Sequence, residues 1–382
     1  MIVGVDASNV RTGGGVSHLV NVLGAADPKA HGIERLRLWA SGETLGRLPD
    51  RDWLDKVHQP LLDRSLPHRL FWQWFRLPGL AEAGCDLLFS PGGNAPPTRL
   101  PLVTMSRNML PFEYPELFRY GFSSVTLRLL LLRWGQARTF RRADGVIFLT
   151  EYARRTIEPI ARMRGAVEVV PHGVEARFRE QPRPQRPISE CSRERPLRLL
   201  YVSIIDLYKH SWHVAEGVAR LRRDGVPLAI DFVGPSYPPA LKRLQQVIEA
   251  HDPEGVFLRY RGAIPFASLH ELRARADVFV FASSCENMPN TLLEGMAAGF
   301  PIACSRRGPM PEILGDGGVY FDPEDPQDIA SALRRLAEDP ELRERVAARA
   351  YARGLGFSWE RCAEETLAFI AAVARARDEA NR

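Results

Sequence analysis

Ala276-Asp277-Val278-Phe279-Val280-Phe281-Ala282-Ser283-Ser284-Cys285-Glu286-Asn287-Met288-Pro289-Asn290-Thr291-Leu292-Leu293-Glu294-Gly295-Met296-Ala297-Ala298-Gly299-Phe300-Pro301-Ile302 contains one complete structural step. The apolar run Val278–Ala282 reads as a buried strand, and the polar residues through Pro289 read as a loop. Thr291–Ala298 has a helical pattern that closes at Gly299, and Pro301–Cys304 begins the next strand. Strand, loop, helix, strand is a βαβ step of a parallel sheet. In open α/β sheets ligands bind outside the carboxyl ends of the strands, where helix N-termini also offer unpaired N–H groups to anions.

Glu286 and Glu294 flank that point. Were 286–294 continuous helix, the two carboxylates would stand roughly 12 Å apart along the axis. That exceeds the about 5–9.5 Å of paired glycosidase carboxylates. Pro289 and the two Asn make 286–290 a loop, which leaves the separation open. A phosphate held close by would be repelled by either group. Both suit neutral hydroxyl donors, such as those of a sugar or a ribose. The plainer alternative is a first-turn helix acid at 294 and a solvated loop acid at 286.

Outward from this stretch the same alternation continues. Strands are expected at Arg198–Val202, Leu228–Val233, Val256–Tyr260 and Val319–Phe321. Helices are expected at Trp212–Arg223, Pro239–Ala250, Ser268–Ala274, Gln327–Glu338 and Glu341–Arg353. A second series occupies the first half: strands at Ile2–Val5, Leu87–Ser90, Leu102–Met105, Val146–Leu149 and Val167–Pro171, with helices at Val16–Leu23 and Tyr152–Ile160. Residues 179–196 are rich in Pro and charge and read as a linker. The expected division is a first domain at 1–178, the linker at 179–196, a second domain at 197–358, and a closing amphipathic helix at 359–382 that packs back on the first domain.

At 382 residues the chain is long enough for two domains, and 45% apolar with 25% charged residues is a globular composition. No stretch suits a transmembrane helix, and Met1 runs directly into Ile2-Val3-Gly4-Val5 without a signal-peptide pattern. Cys85, Cys191, Cys285, Cys304 and Cys362 have no paired spacing, which fits reduced thiols and a cytoplasmic location. The net charge of +5 suits an anionic lipid or a phosphorylated substrate. No nucleic-acid motif accompanies it, so nucleic acid is not an expected partner. Metal-ligand spacings and a Gly-x-Ser-x-Gly nucleophile are also missing from the sequence.

Two further loops carry chemistry. Gly13-Gly14-Gly15 follows the first strand, and its backbone can approach a phosphate, although a bare tight turn reads equally well. Lys209-His210 follows the strand 198–202 and stands just before a helix. A cation there opposes the helix dipole, which makes sense with a shared bound anion; a solvated Lys is the alternative.

With these residues in place, the chain resembles the retaining glycosyltransferases of family 4. The resemblance spans nearly the whole chain and is strongest from Leu199 to Asp325. It rests on Ala276–Glu286, on Glu294-Gly-Met-Ala-Ala-Gly-Phe-Pro-Ile302, and on Pro311–Pro323. Val5-Asp6-Ala7-Ser8 with the glycines, and Val170-Pro171-His172-Gly173-Val174, add to it in the first half. It implies the GT-B fold: α/β, two Rossmann-like domains facing each other across a cleft. The activity implied is metal-independent transfer of a sugar from a nucleotide-diphosphate sugar to a hydroxyl of a glycan or lipid-linked acceptor, in cell-surface polysaccharide synthesis. No other cofactor is implied. Glu286 and Lys209 would be catalytic, Glu286 holding donor-sugar hydroxyls and Lys209 neutralising the diphosphate. Glu294 would hold the ribose hydroxyls. Ser203, His210, Asn290, Thr291, Leu292, Gly14, Gly15 and Gly262 would complete the donor site, and Arg107 with Asn108 would face the acceptor.

Three positions depart from the family pattern. Ser203-Ile204 stands where Gly-Arg is common, Asn287-Met288-Pro289 replaces Gly-Phe-Gly, and Arg107-Asn108 replaces His-Asp. Pro289 has no N–H, so one backbone contact is lost and the Asn290 side chain could replace it. Arg107 cannot serve as a general base near neutral pH. A same-fold epimerase or phosphorylase, or a non-catalytic sugar- or nucleotide-binding module, are the competing readings. Finally, Arg119–Arg142 holds six Arg and no acid around Leu127-Arg-Leu-Leu-Leu-Leu-Arg-Trp134. This segment suits either peripheral contact with the inner face of a membrane or a core helix with a solvated Arg face.

Overall fold

The computed structural model describes residues 1–11 and 13–380. The chain forms two compact units. The first comprises Met1–Phe112, Ser123–Gly173 and the segment from Phe357 through the C-terminal helix; the second comprises Glu113–Phe122 and Val174–Gly356.

The first unit is built on a seven-stranded parallel sheet. Its strands are β1 (Ile2–Asp6), β2 (Arg35–Ala40), β3 (Leu54–His58), β4 (Leu87–Ser90), β5 (Leu102–Met105), β6 (Gly145–Phe148) and β7 (Ala166–Val169), in the order β3-β2-β1-β4-β5-β6-β7. Val5 pairs with Leu38 on one side and Phe89 on the other, so the strand order reverses at β1. The central strands β4, β5 and β6 are buried along their whole length, as expected for a sheet covered on both faces. The C-terminal helix Trp359–Ala380 packs on the helix Gly14–Ala25 and on β6. Gly145 permits this approach: a Cβ there would lie 2.8 Å from Val373.

The second unit carries a six-stranded parallel sheet. Its strands are β8 (Leu197–Val202), β9 (Leu228–Val233), β10 (Leu258–Tyr260), β11 (Val278–Phe281), β12 (Ile302–Ser305) and β13 (Gly318–Phe321), in the order β10-β9-β8-β11-β12-β13. Leu199 pairs with Ile230 and with Val278, so here the order reverses at β8. The loops after β8 and β11 therefore emerge side by side at the carboxyl edge, the usual ligand position in such sheets.

Three expectations need correction. β2 and β3 have no strand signal in the sequence pattern. Arg-Leu-Arg-Leu-Trp-Ala has no β-branched residue and Leu-Asp-Lys-Val-His has one, so pairing of β2 to β1 and of β3 to β2, more than local propensity, makes them strands. The segment 179–196 is not a free linker but lies on the second unit. Glu180 donates its N–H to the Ala297 carbonyl at 2.9 Å. The Arg183 guanidinium donates to the carbonyls of Arg273 and Ala274 at 3.1 and 2.6 Å, closing the end of the helix Phe266–Arg275. Glu113–Phe122, read as part of the first domain, belongs with the second unit, through contacts described below.

Candidate functional site

The loop after β8 runs from Ser203 to His210 and ends in a short turn, Leu207–Lys209, before the helix Ser211–Arg223. His210 sits at the N-cap in a left-handed conformation with φ 50°. The turn is held by the Asp206 carboxylate, which accepts the Leu207 N–H at 2.7 Å. This backbone path carries Lys209 into the edge of the sheet, where its side chain is 8% exposed.

The loop after β11 brings Glu286 to the same place. Lys209 Nζ and the Glu286 carboxylate are in direct contact, although 77 residues separate them. The ammonium also stands 4.8 Å from the centre of the Tyr208 ring. The two residues that the resemblance marks as catalytic thus form one ion pair at the point where the strand order reverses.

Glu294 takes a different partner. The helix starts at Asn290, so 286–289 is loop and the two carboxylates diverge. Glu294 meets the guanidinium of Arg273 at 2.6 Å. Burial pushes its carboxyl up, and Arg273 opposes that shift. The helix Asn290–Ala297 begins after Pro289, which offers no N–H. The Leu292 N–H is occupied by the Pro289 carbonyl at 2.9 Å and the Leu292 side chain is fully buried, so Leu292 offers a ligand neither group. Asn290 and Thr291 are partly exposed at the helix start.

His210 is completely buried. Burial, with help from nearby Arg119, pushes its pKa down to about 3, so the ring is neutral. Its Nε2 lies 2.9 Å from Ser284 Oγ. Ser284 in turn donates its O–H to Glu116 at 2.8 Å, which makes His210 Nε2 the donor to Ser284. Through Nε2 His210 supports Ser284, while its Nδ1 has no hydrogen-bond partner among the described residues. Ser203 is partly exposed at the end of β8, beside Ile204. Gly262 lies beyond the edge strand β10 and accepts the Gly234 N–H at 2.9 Å.

Glu113–Phe122 contributes residues that the sequence did not reveal. Glu116 is 3% exposed and binds both Ser284 and Arg119. Arg119 reaches on to Glu324 at 2.6 Å, and Tyr120 donates to Asp206 at 3.0 Å. These bonds tie the segment to both loops that carry Lys209 and Glu286. Glu116 and Ser284 are 168 residues apart, and no local pattern signals such a contact.

In the first unit, the glycine loop starts the helix at Gly14 with Gly13 as its cap, at φ 63°. Arg107, at the end of β5, donates to the Gly14 carbonyl at 2.7 Å. Burial lowers its pKa to about 10. Asn108 accepts the Leu110 N–H at 3.1 Å, shaping its own turn. Arg107 thus clamps the glycine loop. Asp6, at the end of β1, is buried and accepts from Gln73 at 2.6 Å and Ser90 at 3.2 Å. Among the described residues no group of three His, Cys, Asp or Glu gathers as metal ligands, and no helix is long and apolar enough to cross a membrane.

Comparison with known proteins bears on this geometry. Residues 184–353 match the family glycosyl transferases group 1. The O-antigen chain mannosyltransferase B of Escherichia coli is 36% identical over 124 residues, 32% of each chain. A GDP-mannose-dependent alpha-(1-6)-phosphatidylinositol dimannoside mannosyltransferase of Mycobacterium tuberculosis is 28% identical over 244 residues, 63% of this chain and 61% of that one. The chain thus spans about a third of the first relative and less than two thirds of the second. Among solved structures, HepE of Anabaena in complex with UDP superposes with a TM-score of 0.67 at 18% identity, over 96% of this chain and 99% of that one. The fold is that of the GT-B glycosyltransferases, with two parallel-sheet α/β domains.

Proposed function

We propose that the chain is a retaining, family 4 glycosyltransferase that moves a sugar from a nucleotide-diphosphate sugar to a hydroxyl of a glycan or lipid-linked acceptor, in cell-surface polysaccharide synthesis. The observation that carries this is the Lys209–Glu286 pair at the strand-order reversal of the unit that matches glycosyl transferases group 1. The UDP complex of HepE and the mannosyltransferase names of the relatives point the same way.

In this reading the bond between the anomeric carbon and the diphosphate oxygen breaks, and Lys209 balances the charge that develops on the leaving group. Glu286, oriented by Lys209, receives hydroxyls of the donor sugar. The acceptor oxygen attacks from the face that the diphosphate leaves, and its proton passes to a phosphate oxygen. Glu294 and Arg273 hold the ribose end. The Thr291 N–H, the Asn290 side chain, Ser203 and Gly262 serve the donor from the second unit, and in the first unit the Gly14–Gly15 backbone can approach a phosphate. Arg107, by fixing the glycine loop, and Asn108, by shaping its own turn, serve the acceptor side. The counter-charge comes from Lys209, so transfer needs no metal ion. The enzyme works in the cytoplasm, at the inner face of the membrane where a lipid-linked acceptor is presented.

A thermal-shift panel of GDP-, UDP-, ADP- and TDP-sugars tests the donor, because a ligand that binds the folded state raises its stability by mass action. The preferred donor is then incubated with candidate acceptors, with and without EDTA, and the product's anomeric configuration is read by NMR. An inverted product refutes retention, and loss of rate in EDTA refutes metal independence. Release of a sugar phosphate from a glycan and inorganic phosphate would make the chain a phosphorylase instead.

A further inference from the structure

The helix Ser124–Arg142 of the first unit buries Leu129 and Phe140 and leaves a different face in water. Leu127, Leu131, Trp134, Arg138 and Arg141 recur every four and three residues, so they form one stripe. Leu127, Leu131 and Trp134 are 60%, 62% and 68% exposed. The first half of the stripe is apolar and the second half cationic.

The cationic half opens into a groove of about 1020 Å³ between this helix and the C-terminal helix. Arg138, Arg141, Arg142, Arg164 and Arg377 line it, with Asp144 as their one carboxylate. Asp144 is already engaged: it accepts the Leu102 N–H at 2.9 Å and meets Arg377 at 3.3 Å. Arg142 donates to the Ala95 carbonyl, and Arg138 lies 5.9 Å from the Trp134 ring. Among the described residues Arg138, Arg141 and Arg164 have no carboxylate partner. A second groove of about 450 Å³ lies on the other flank, lined by Leu130, Trp134 and Ile160, and shares Arg138 and Arg141.

We infer that this face is a seat for an anionic phospholipid surface, with Arg138, Arg141 and Arg164 at the lipid phosphates and Leu127, Leu131 and Trp134 at the boundary with the acyl chains. Charge complementarity selects phosphate. The apolar half of the same stripe selects a bilayer over a free anion, which would have no use for it. The stripe is roughly 21 Å long, and its Leu127–Trp134 half roughly 10 Å. An amphipathic helix of this kind buries its apolar side about 5–10 Å into the interface, with Trp at the headgroup level. The inference rests on the membrane-side location proposed above and deepens it by naming the surface; the seat lies entirely within the first unit and uses none of the residues assigned to the donor.

The full chain is sedimented with vesicles of phosphatidylcholine alone, and of phosphatidylcholine with one-third phosphatidylglycerol, at low and high salt. Binding is expected only to the anionic vesicles, and to weaken with salt. Each surface Arg contributes roughly fivefold to such partition, so Arg138→Glu with Arg141→Glu and Arg164→Glu should lower it on the order of 100-fold or more. Leu131→Ser with Trp134→Ser should lower it at least about 10-fold at unchanged charge. Equal binding to neutral vesicles, or wild-type binding by the Arg variant, overturns the seat. Wild-type binding by the Leu131/Trp134 variant, or full competition by inorganic phosphate at matched ionic strength, overturns the bilayer and leaves a soluble-anion groove. All substituted positions are exposed or at the groove rim, and thermal melts confirm folding. Nucleotide-sugar thermal shifts on the same variants report the donor site separately, so either reading can fail alone.

Discussion

Lys209→Met and Glu286→Gln, singly and together, form the perturbation that most directly probes the site. The two side chains are 8% and 14% exposed and in direct contact. Removing one member of a buried ion pair strands the other charge, at about 3–5 kcal/mol. Water reaches Glu286 to a small degree, so Lys209→Met should cost near the lower end, about 3 kcal/mol. Part of that is loss of the ammonium–ring contact with Tyr208, on the order of 0.5–1 kcal/mol. Glu286→Gln leaves a buried ammonium facing a neutral amide and should cost about 2 kcal/mol. The double variant has no stranded charge. It should be less destabilised than the sum of the singles by roughly 1–3 kcal/mol, read from urea midpoints at constant slope. Singles that add to within about 0.5 kcal/mol would refute the pairing. The same proteins test the chemistry. Either single should lower the transfer rate on the order of 10²–10³-fold, because a charge aimed at the leaving group or the sugar is lost. The double should restore stability without restoring rate. A double variant that recovers rate with stability would show that the pair only holds the fold.

Glu294→Ala should weaken nucleotide binding at least about 10-fold by calorimetry, since a ribose hydroxyl loses a charged acceptor and Arg273 is left unpaired; wild-type affinity would sink the ribose role. Acid should destabilise the second unit through His210. Its pKa of about 3 in the fold lies below the ordinary value, so the unfolded chain takes the proton first. Stability is thus complete above about pH 6.5 and falls by up to about 1.4 kcal/mol per pH unit between there and the folded value. His210→Asn should flatten the pH dependence of the urea midpoint over that window, and an unchanged slope would refute the assignment. Gly234 has φ 143° and a Cβ there would lie 2.0 Å from the Ser203 carbonyl oxygen. Gly234→Ala should therefore cost about 3 kcal/mol or more and displace the loop after β8; a melting temperature equal to wild type would contradict that packing.

The α/β class and most of the strands that form the site are legible in the amino-acid pattern. Apolar runs such as Val278–Phe281, buried on both faces, announce parallel strands through composition alone. The loops bearing Lys209 and Glu286 were legible for the same reason, because each follows such a run and precedes a helix. Glu294 was legible as a helix acid, but not Arg273 as its partner. Which side chains meet depends on how the sheet assembles. The reversal at β8 places two loops side by side, which converts Lys209 and Glu286 from separate candidates into one pair. The bond from His210, at φ 50°, to Ser284 is likewise invisible in the local pattern. β2 forms on the edge of β1 and β3 on the edge of β2, and Glu113–Phe122 leaves its sequence neighbours because Ser284, Asp206 and Glu324 hold it. Local pattern records which side chains seek burial, whereas strand order and long-range hydrogen bonds select their partners, and those are properties of the assembled sheet.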